Sequence, residues 1–187
     1  LAVVFWAPKA KGERSDAIQE AGAAAEERSA VMRSPISWAI VGFFGLQSLG
    51  FYALLGWLPT LLIASGQTPE AAGSYLGLAT AIGIPAGLVL ATAIARFKSL
   101  AWWAAGASTV TLIGFVLLAA AFKTPELTGL ACILIGLGQA STFPMSLAII
   151  STRASTRAQT TQLSAMAQGW GYLLAAIGTF VVGYLAE

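Results

Sequence analysis

The sequence contains no histidine, a single cysteine and few charged residues. Without histidine, the protein cannot use a Ser-His-Asp or Cys-His catalytic set, and it lacks the side chain most often found on zinc and haem. The single cysteine, Cys132, excludes a disulfide bond within the chain. We therefore predict no cofactor and no metal site, and nothing in the sequence indicates an enzyme.

Charge is scarce and unevenly placed. Charged side chains make up 10% of the 187 residues, against about 25% in a typical soluble domain. Ten of them lie between Lys9 and Arg33, so that residues 36–187 carry only eight. So few charges cannot cover the surface of a water-soluble domain of this size. The formal charge of +2 is small and comes from segments between apolar runs, which argues against a nucleic-acid partner. We predict an integral membrane protein that has the lipid bilayer as a partner.

Five long apolar runs follow the charged segment. Each has more than 20 residues and no charge in its interior, and that length crosses a hydrocarbon core of about 30 Å as an α-helix. We place the five membrane spans at residues 36–64, 72–95, 100–122, 127–150 and 162–186. The pattern predicts an all-α fold, a polytopic bundle of membrane helices.

The residues before the first span divide into two parts. Residues 1–7 are apolar, and a signal peptide would have basic residues before such a run rather than after it. We therefore interpret residues 1–7 as the end of a preceding transmembrane helix and the sequence as a fragment of a longer protein. Residues 8–35 carry five basic and five acidic side chains with no apolar stripe, which indicates a solvated linker. Residues 36–187 then form the transmembrane part.

Basic residues also predict the orientation of the chain in the membrane. The linker contains five Lys and Arg residues, and the four following loops contain none, two, one and two in turn. Cytoplasmic loops carry an excess of Lys and Arg. We expect a cytoplasmic linker, with the loops after the second and fourth spans on the same side of the membrane.

Polar residues at membrane depth are the best candidates for function, because lipid offers them no hydrogen-bond partner. Gln47, Gln139 and Gln168 lie near the middle of the first, fourth and fifth spans. Tyr52 and Tyr172 add a hydroxyl and a ring to the first and fifth spans. We predict that these five residues line a neutral substrate-binding site for a small polar ligand. The alternative is that they only form hydrogen bonds that hold the helices together.

Other spans show features of packing and bending. The second span has Gly-xxx-Gly motifs at residues 73–77 and 83–87, which let helices approach closely. The third span has only a few hydroxyl residues, so we expect it to be an outer, supporting helix. Pro85 and Pro144 each free a backbone carbonyl in mid-span. Trp57 is placed near a membrane interface, where tryptophan often serves as an anchor.

Three segments resemble a known family. They come from the first, fourth and fifth spans and read GLQSLGFYALLGWLPTLL, GLGQASTFPMSLAII and LSAMAQGWGYLLAAIGTFVVG. Together they resemble the cyanate/2-nitroimidazole transporter branch (CynX/NimT-like) of the major facilitator superfamily. The resemblance covers nearly the whole chain. One departure is the basic loop signature of the superfamily, which is reduced here to ARFKSL after the second span.

The resemblance implies a partial fold of this superfamily. The five spans would be equivalent to helices 7–11 of a twelve-helix transporter, and residues 1–7 to the end of helix 6. The first, second, fourth and fifth spans would border a central cavity, with the third outside it. The implied partners are the missing N-terminal six-helix half and a small-molecule substrate.

We therefore hypothesise that the chain is the C-terminal portion of a secondary-active transporter. It would move a small polar solute or anion, of the cyanate or nitroimidazole class, by alternating access. The alternative is a non-transporting membrane subunit or truncated remnant whose polar residues only pack the helices.

Overall fold

The computed structural model describes residues 29–96 and 98–186, with Gly22 and Ala25 as isolated positions ahead of them. The predictions for residues 1–7 and for most of the linker at 8–35 lie outside the described residues. Five long helices account for nearly all of the described chain: α1 (Pro35–Ala64), α2 (Pro69–Ala93), α3 (Leu100–Ala121), α4 (Thr128–Arg153) and α5 (Arg157–Ala186). All five are long and apolar enough to cross a membrane. The predicted all-α fold with five spans is therefore confirmed.

The first connection shows how the sequence ends one helix and begins the next. Gly66 has a φ of +95°, and the Gln67 amide donates to the Leu62 carbonyl at 3.0 Å, which closes the end of α1. Thr68 then precedes Pro69, and its hydroxyl oxygen accepts from the Ala71 amide at 3.2 Å. The chain reverses within four residues, so α1 and α2 are antiparallel neighbours.

The last helix begins at Arg157, five residues ahead of the predicted span at 162–186. The Thr156 hydroxyl accepts from the Gln159 amide at 3.0 Å, while the Gln159 side chain accepts from the Ser155 amide at 2.9 Å. This reciprocal arrangement resembles a capping box and supports a first turn made of polar residues. The apolar pattern identifies only the part of the helix that can lie in lipid, and the polar turn extends it.

Glycines make the closest contacts between α1 and α5. A Cβ atom on Gly45 would lie 3.2 Å from the Gly171 Cα atom, so the two backbones cross here with almost no space between them. Further along, the Trp57 ring lies against Gly183 and its indole N–H donates to the Thr179 carbonyl at 3.2 Å. Trp57, predicted as an interfacial anchor, therefore also packs between two helices.

The helix α4 packs on α3 and α2 in the same way. Gly136 lies directly against the Ala79 backbone of α2, and Gly138 lies against Thr111 of α3. Gly83 and Gly87 of the second Gly-xxx-Gly motif both face Ala140 of α4. A Cβ atom built on either glycine of the first motif, at residues 73–77, would meet no atom of another described element within 4 Å. Only the second motif is used for close packing within the described part of the chain.

Two apolar clusters lie at opposite ends of the bundle. One joins α1 to α2, α3 and α4 and includes Leu54, Leu58, Ala79 and Ile135. The other joins the beginning of α1 to α4 and α5 and includes Ile40, Phe44, Ile150 and Leu163. The stretch of α1 between Phe44 and Leu54 lies between the clusters, and it contains Gln47 and Tyr52, the two α1 residues predicted for the site.

A conservative variant that removes the Trp57 hydrogen bond should be modestly less stable. Trp57→Phe keeps an aromatic ring beside Gly183 but removes the N–H donor, so we expect a loss of about 1 kcal/mol. The measurement is the thermal unfolding midpoint in detergent. Trp102→Phe is the control, because Trp102 is 80% exposed. An equal shift in both variants would contradict a specific role for the α1–α5 contact.

Candidate functional site

A cavity of about 640 Å³ lies between the two apolar clusters. Its lining comes from α1, α2 and α4, with Tyr172 from α5, and among the described residues α3 contributes none of it. This agrees with the division of spans that the family resemblance implies. Four of the five predicted site residues line the cavity, namely Gln47, Tyr52, Gln139 and Tyr172.

The fifth predicted residue, Gln168, is not part of this lining. Its amide nitrogen donates to the Ser164 hydroxyl at 2.8 Å, one turn earlier on α5. The structure therefore brings two of the three predicted glutamines to one cavity and places the third apart from them. Gln168 precedes Tyr172 by four residues and so lies on the same side of α5, about 6 Å away along the helix axis. The depth that grouped the three glutamines was therefore too coarse to place Gln168 in the cavity.

Several polar atoms of the lining remain available to a ligand. The side-chain nitrogen of Gln47 donates to the Ser48 hydroxyl at 2.8 Å. This bond leaves the side-chain oxygen of Gln47 unused. Tyr52 and Tyr172 are 45% and 39% exposed, and neither hydroxyl has a hydrogen-bond partner among the described residues. These groups supply acceptors and donors without any formal charge.

Four aromatic rings line the cavity, those of Phe51, Tyr52, Phe143 and Tyr172, and the fully buried Phe44 ring packs against two of them from outside the lining. The ring centroids of Tyr52 and Tyr172 are 6.2 Å apart, and those of Phe44 and Tyr172 are 5.3 Å apart, both in edge-to-face geometry. Phe51 stands 5.6 Å from Tyr52, and Phe143 stands 6.0 Å from Phe44. Of these five rings only the two tyrosines were predicted as site residues. The phenylalanines were missed because an apolar ring in an apolar span carries no signal in the sequence.

The Gln139 side chain is 6% exposed and contacts the α1 backbone. In the amide orientation that satisfies both polar atoms, the Gln139 side-chain nitrogen donates to the backbone carbonyl of Gln47 at 3.2 Å. The Gln139 side-chain oxygen accepts from the backbone amide of Phe51 at 3.1 Å. Both ends of this amide are thus occupied by the protein. Gln139 lies in the wall of the cavity, but it differs from Gln47 in having no free polar atom.

Pro144 leaves a backbone acceptor beside the same cavity. A proline has no N–H, so the carbonyl four residues earlier, on Ala140, lacks its helical donor. Ala140 and Pro144 both line the cavity, together with Gly83 and Gly87 of α2. The sequence indicated the freed carbonyl, but which side of α4 it lies on depends on the packing of α4 against α2.

Charge is confined to the ends of the helices in the described part of the chain. Every residue that lines the cavity is uncharged. The described acidic and basic residues from α1 onward lie at or beside helix ends: Glu70, Arg96, Lys98, Lys123, Glu126, Arg153 and Arg157. The cavity wall is therefore polar through amides, hydroxyls and ring faces alone.

Comparisons with a family model and with curated proteins agree on one family of proteins. Residues 1–179 match the Major Facilitator Superfamily. The chain is 33% identical to "Uncharacterized transporter YycB" of Bacillus subtilis over its full length and 32% identical to the "2-nitroimidazole transporter" of Escherichia coli, also over its full length. It is 31% identical over 83% of its length to the "Cyanate transport protein CynX" of Escherichia coli.

These curated relatives are longer than the chain. The aligned regions cover 45%, 46% and 40% of them, so the chain spans just under half of their length. A comparison with solved structures gives no match. The predicted family is confirmed by the extent of the sequence match and agrees with the five apolar helices. The chain belongs to the Major Facilitator Superfamily of membrane transporters.

Proposed function

We propose that this chain is the C-terminal portion of a secondary-active transporter that moves a small polar solute across a bacterial plasma membrane by alternating access. The observation that carries the proposal is the cavity at mid-height, where free polar atoms and aromatic rings meet in an otherwise apolar bundle. A membrane helix gains nothing from exposed amides and hydroxyls at that depth unless they face protein, water or a ligand.

The chain would provide one side of the transport path. It spans just under half of the relatives' length, and transporters of this kind bind their substrate between two related halves. We propose that the missing N-terminal six-helix half faces the cavity from the other side. In this arrangement the linker at 8–35 joins the halves in the cytoplasm, as the distribution of basic residues predicts.

The cavity favours an uncharged planar solute over a compact anion. No cationic side chain lines it, and the faces of aromatic rings carry partial negative charge, which repels anions and favours stacking with flat rings. Of the two relatives that are named for a substrate, one is named for 2-nitroimidazole, a planar ring, and the other for cyanate, an anion. We propose that the solute of this transporter belongs to the first class, with Gln47, Tyr52 and Tyr172 as its contacts on this side.

Uptake into proteoliposomes tests this proposal. The transporter expressed from its complete coding sequence should accumulate 2-nitroimidazole, supplied below the pKa of its ring N–H so that it is uncharged. We expect it to take up cyanate at least about tenfold more slowly. The cavity offers no positive charge to the anion, and a free-energy cost of about 1.4 kcal/mol for binding it there corresponds to a tenfold difference. Empty vesicles are the control.

Two results would contradict the proposal in different ways. Faster uptake of cyanate than of 2-nitroimidazole would leave a transporter but reverse the proposed solute class. Uptake of both solutes equal to that of empty vesicles, with correct membrane insertion, would favour the non-transporting subunit or remnant.

A further inference from the structure

Gln139 lies at the junction between two groups of helices. α1 packs mainly against α5, α4 packs mainly against α3 and α2, and fewer contacts join α1 to α2 and α4. A second cavity of about 330 Å³ lies between α1, α3 and α4. Gln47 and Gln139 line both this cavity and the larger one. These two side chains therefore form the partition between the cavities.

The Gln139 amide bridges two backbone groups that an α-helix normally pairs with each other. Its nitrogen donates to the Gln47 carbonyl and its oxygen accepts from the Phe51 amide, and these two groups are four residues apart, the spacing of a helical hydrogen bond. The side chain thus attaches α4 to one turn of α1. That turn ends immediately before Tyr52 and begins at Gln47, the two α1 residues with free polar atoms in the larger cavity.

Gly50 makes this bridge possible. A Cβ atom at this position would lie 2.5 Å from a terminal atom of the Gln139 amide and 3.4 Å from the Phe115 ring. The end of the glutamine side chain is the part that can move, so a methyl group at residue 50 would displace the amide from the α1 backbone. Gly42 is one of the other glycines of α1, and a Cβ there would have no atom of another element within 4 Å.

We propose that Gln139 is a positioning residue, whose amide clamps the α1 backbone through the gap at Gly50 and so fixes Gln47 and Tyr52 in the cavity wall. This inference rests on the proposed transport function, which makes the larger cavity a solute-binding site. The assignment refines the prediction that Gln139 binds substrate: it acts on the solute through α1.

Amide hydrogen exchange tests the clamp without any transport assay. In the purified complete protein, Gln139→Met and Gly50→Ala should each speed exchange of the backbone amides at 47–52 by about three- to tenfold, the loss expected for one or two such hydrogen bonds. The double variant should exchange no faster than either single variant, because both remove the same interaction. Gly42→Ala is the matched control and should leave exchange unchanged. Unchanged exchange in both single variants, or equal acceleration by Gly42→Ala, would overturn the proposal.

Uptake kinetics then separate positioning from direct binding. If Gln139 acts through α1, Gly50→Ala and Gln139→Met should raise the KM for the solute by similar factors. A large KM increase in Gln139→Met with wild-type KM in Gly50→Ala would show that the amide contacts the solute itself and would overturn the proposal. A complete transporter that takes up no solute would contradict the proposed function, while the exchange experiment would still decide whether the clamp exists.

Discussion

Tyr172→Ala in the complete transporter should lower the rate of solute uptake by about tenfold or more at solute concentrations below the KM. Tyr172 is the α5 residue in the cavity lining, and its ring lies between those of Tyr52 and Phe44. Its removal would interrupt the aromatic wall and open a gap where a planar solute would stack. We expect most of the loss to appear as an increased KM.

Two further variants make this result specific. Tyr184→Ala removes a tyrosine from the same helix that is 75% exposed and does not line the cavity, so uptake should stay at the wild-type level. Tyr172→Phe retains the ring and removes the hydroxyl, so it separates stacking from hydrogen bonding. Wild-type uptake by Tyr172→Ala, at matched protein levels in the membrane, would remove Tyr172 from the proposed site.

Gly136→Ala should destabilise the bundle by about 1–3 kcal/mol, because overpacking a close contact has that typical cost. A Cβ atom on Gly136 would collide with the Ala79 carbonyl, which belongs to the backbone of α2 and cannot rotate away. The helices α2 and α4 would have to separate, and both line the cavity. The measurement is the thermal unfolding midpoint of the purified protein, which should fall by several degrees.

Gly129→Ala provides the matched control for that experiment. Gly129 lies on the same helix, and a Cβ there would be 3.8 Å from the Tyr75 ring, an ordinary contact distance. Alanine has a higher helix propensity than glycine by about 1 kcal/mol, so this variant should be neutral or slightly more stable. A fall in the midpoint of the same size in both variants would mean that the α2–α4 contact is not the cause.

The apolar pattern of the sequence was sufficient to predict the five helices. Each run is long and free of charge because a lipid-spanning segment must be both. The pattern was less informative at the ends, where Thr156 and Gln159 extend α5 by a polar turn that does not need to enter the membrane. Helix ends depend on local hydrogen bonds, which the average composition of a span does not reveal.

The predicted site was recovered unevenly, for a geometric reason. Gln47, Tyr52, Gln139 and Tyr172 line one cavity, whereas Gln168 bonds within its own helix. Polar residues at mid-span were visible in the sequence, but which of them reach one cavity depends on the rotation of each helix and on its position along its axis. Gln168 lies on the same side of α5 as Tyr172, so it is separated from the cavity by one turn along the axis. The rotation of each helix is decided by contacts such as Gly45 against Gly171, which the sequence shows only as small residues. The binding role of all five residues remains a prediction.

By itself, the sequence determined that the protein crosses a membrane with five apolar helices, belongs to a transporter family and has uncharged polar groups at mid-depth. The spans and their polar groups depend on composition and on position along the chain, which are both local, whereas the family depends on sequence similarity to known transporters. Only the tertiary structure decided which polar groups share a cavity, which phenylalanines complete its wall, and that Gln139 bonds to the backbone of α1 beside Gly50. Such properties depend on distances of a few ångströms between helices far apart in the chain, and close packing of several helices at once is what sets those distances.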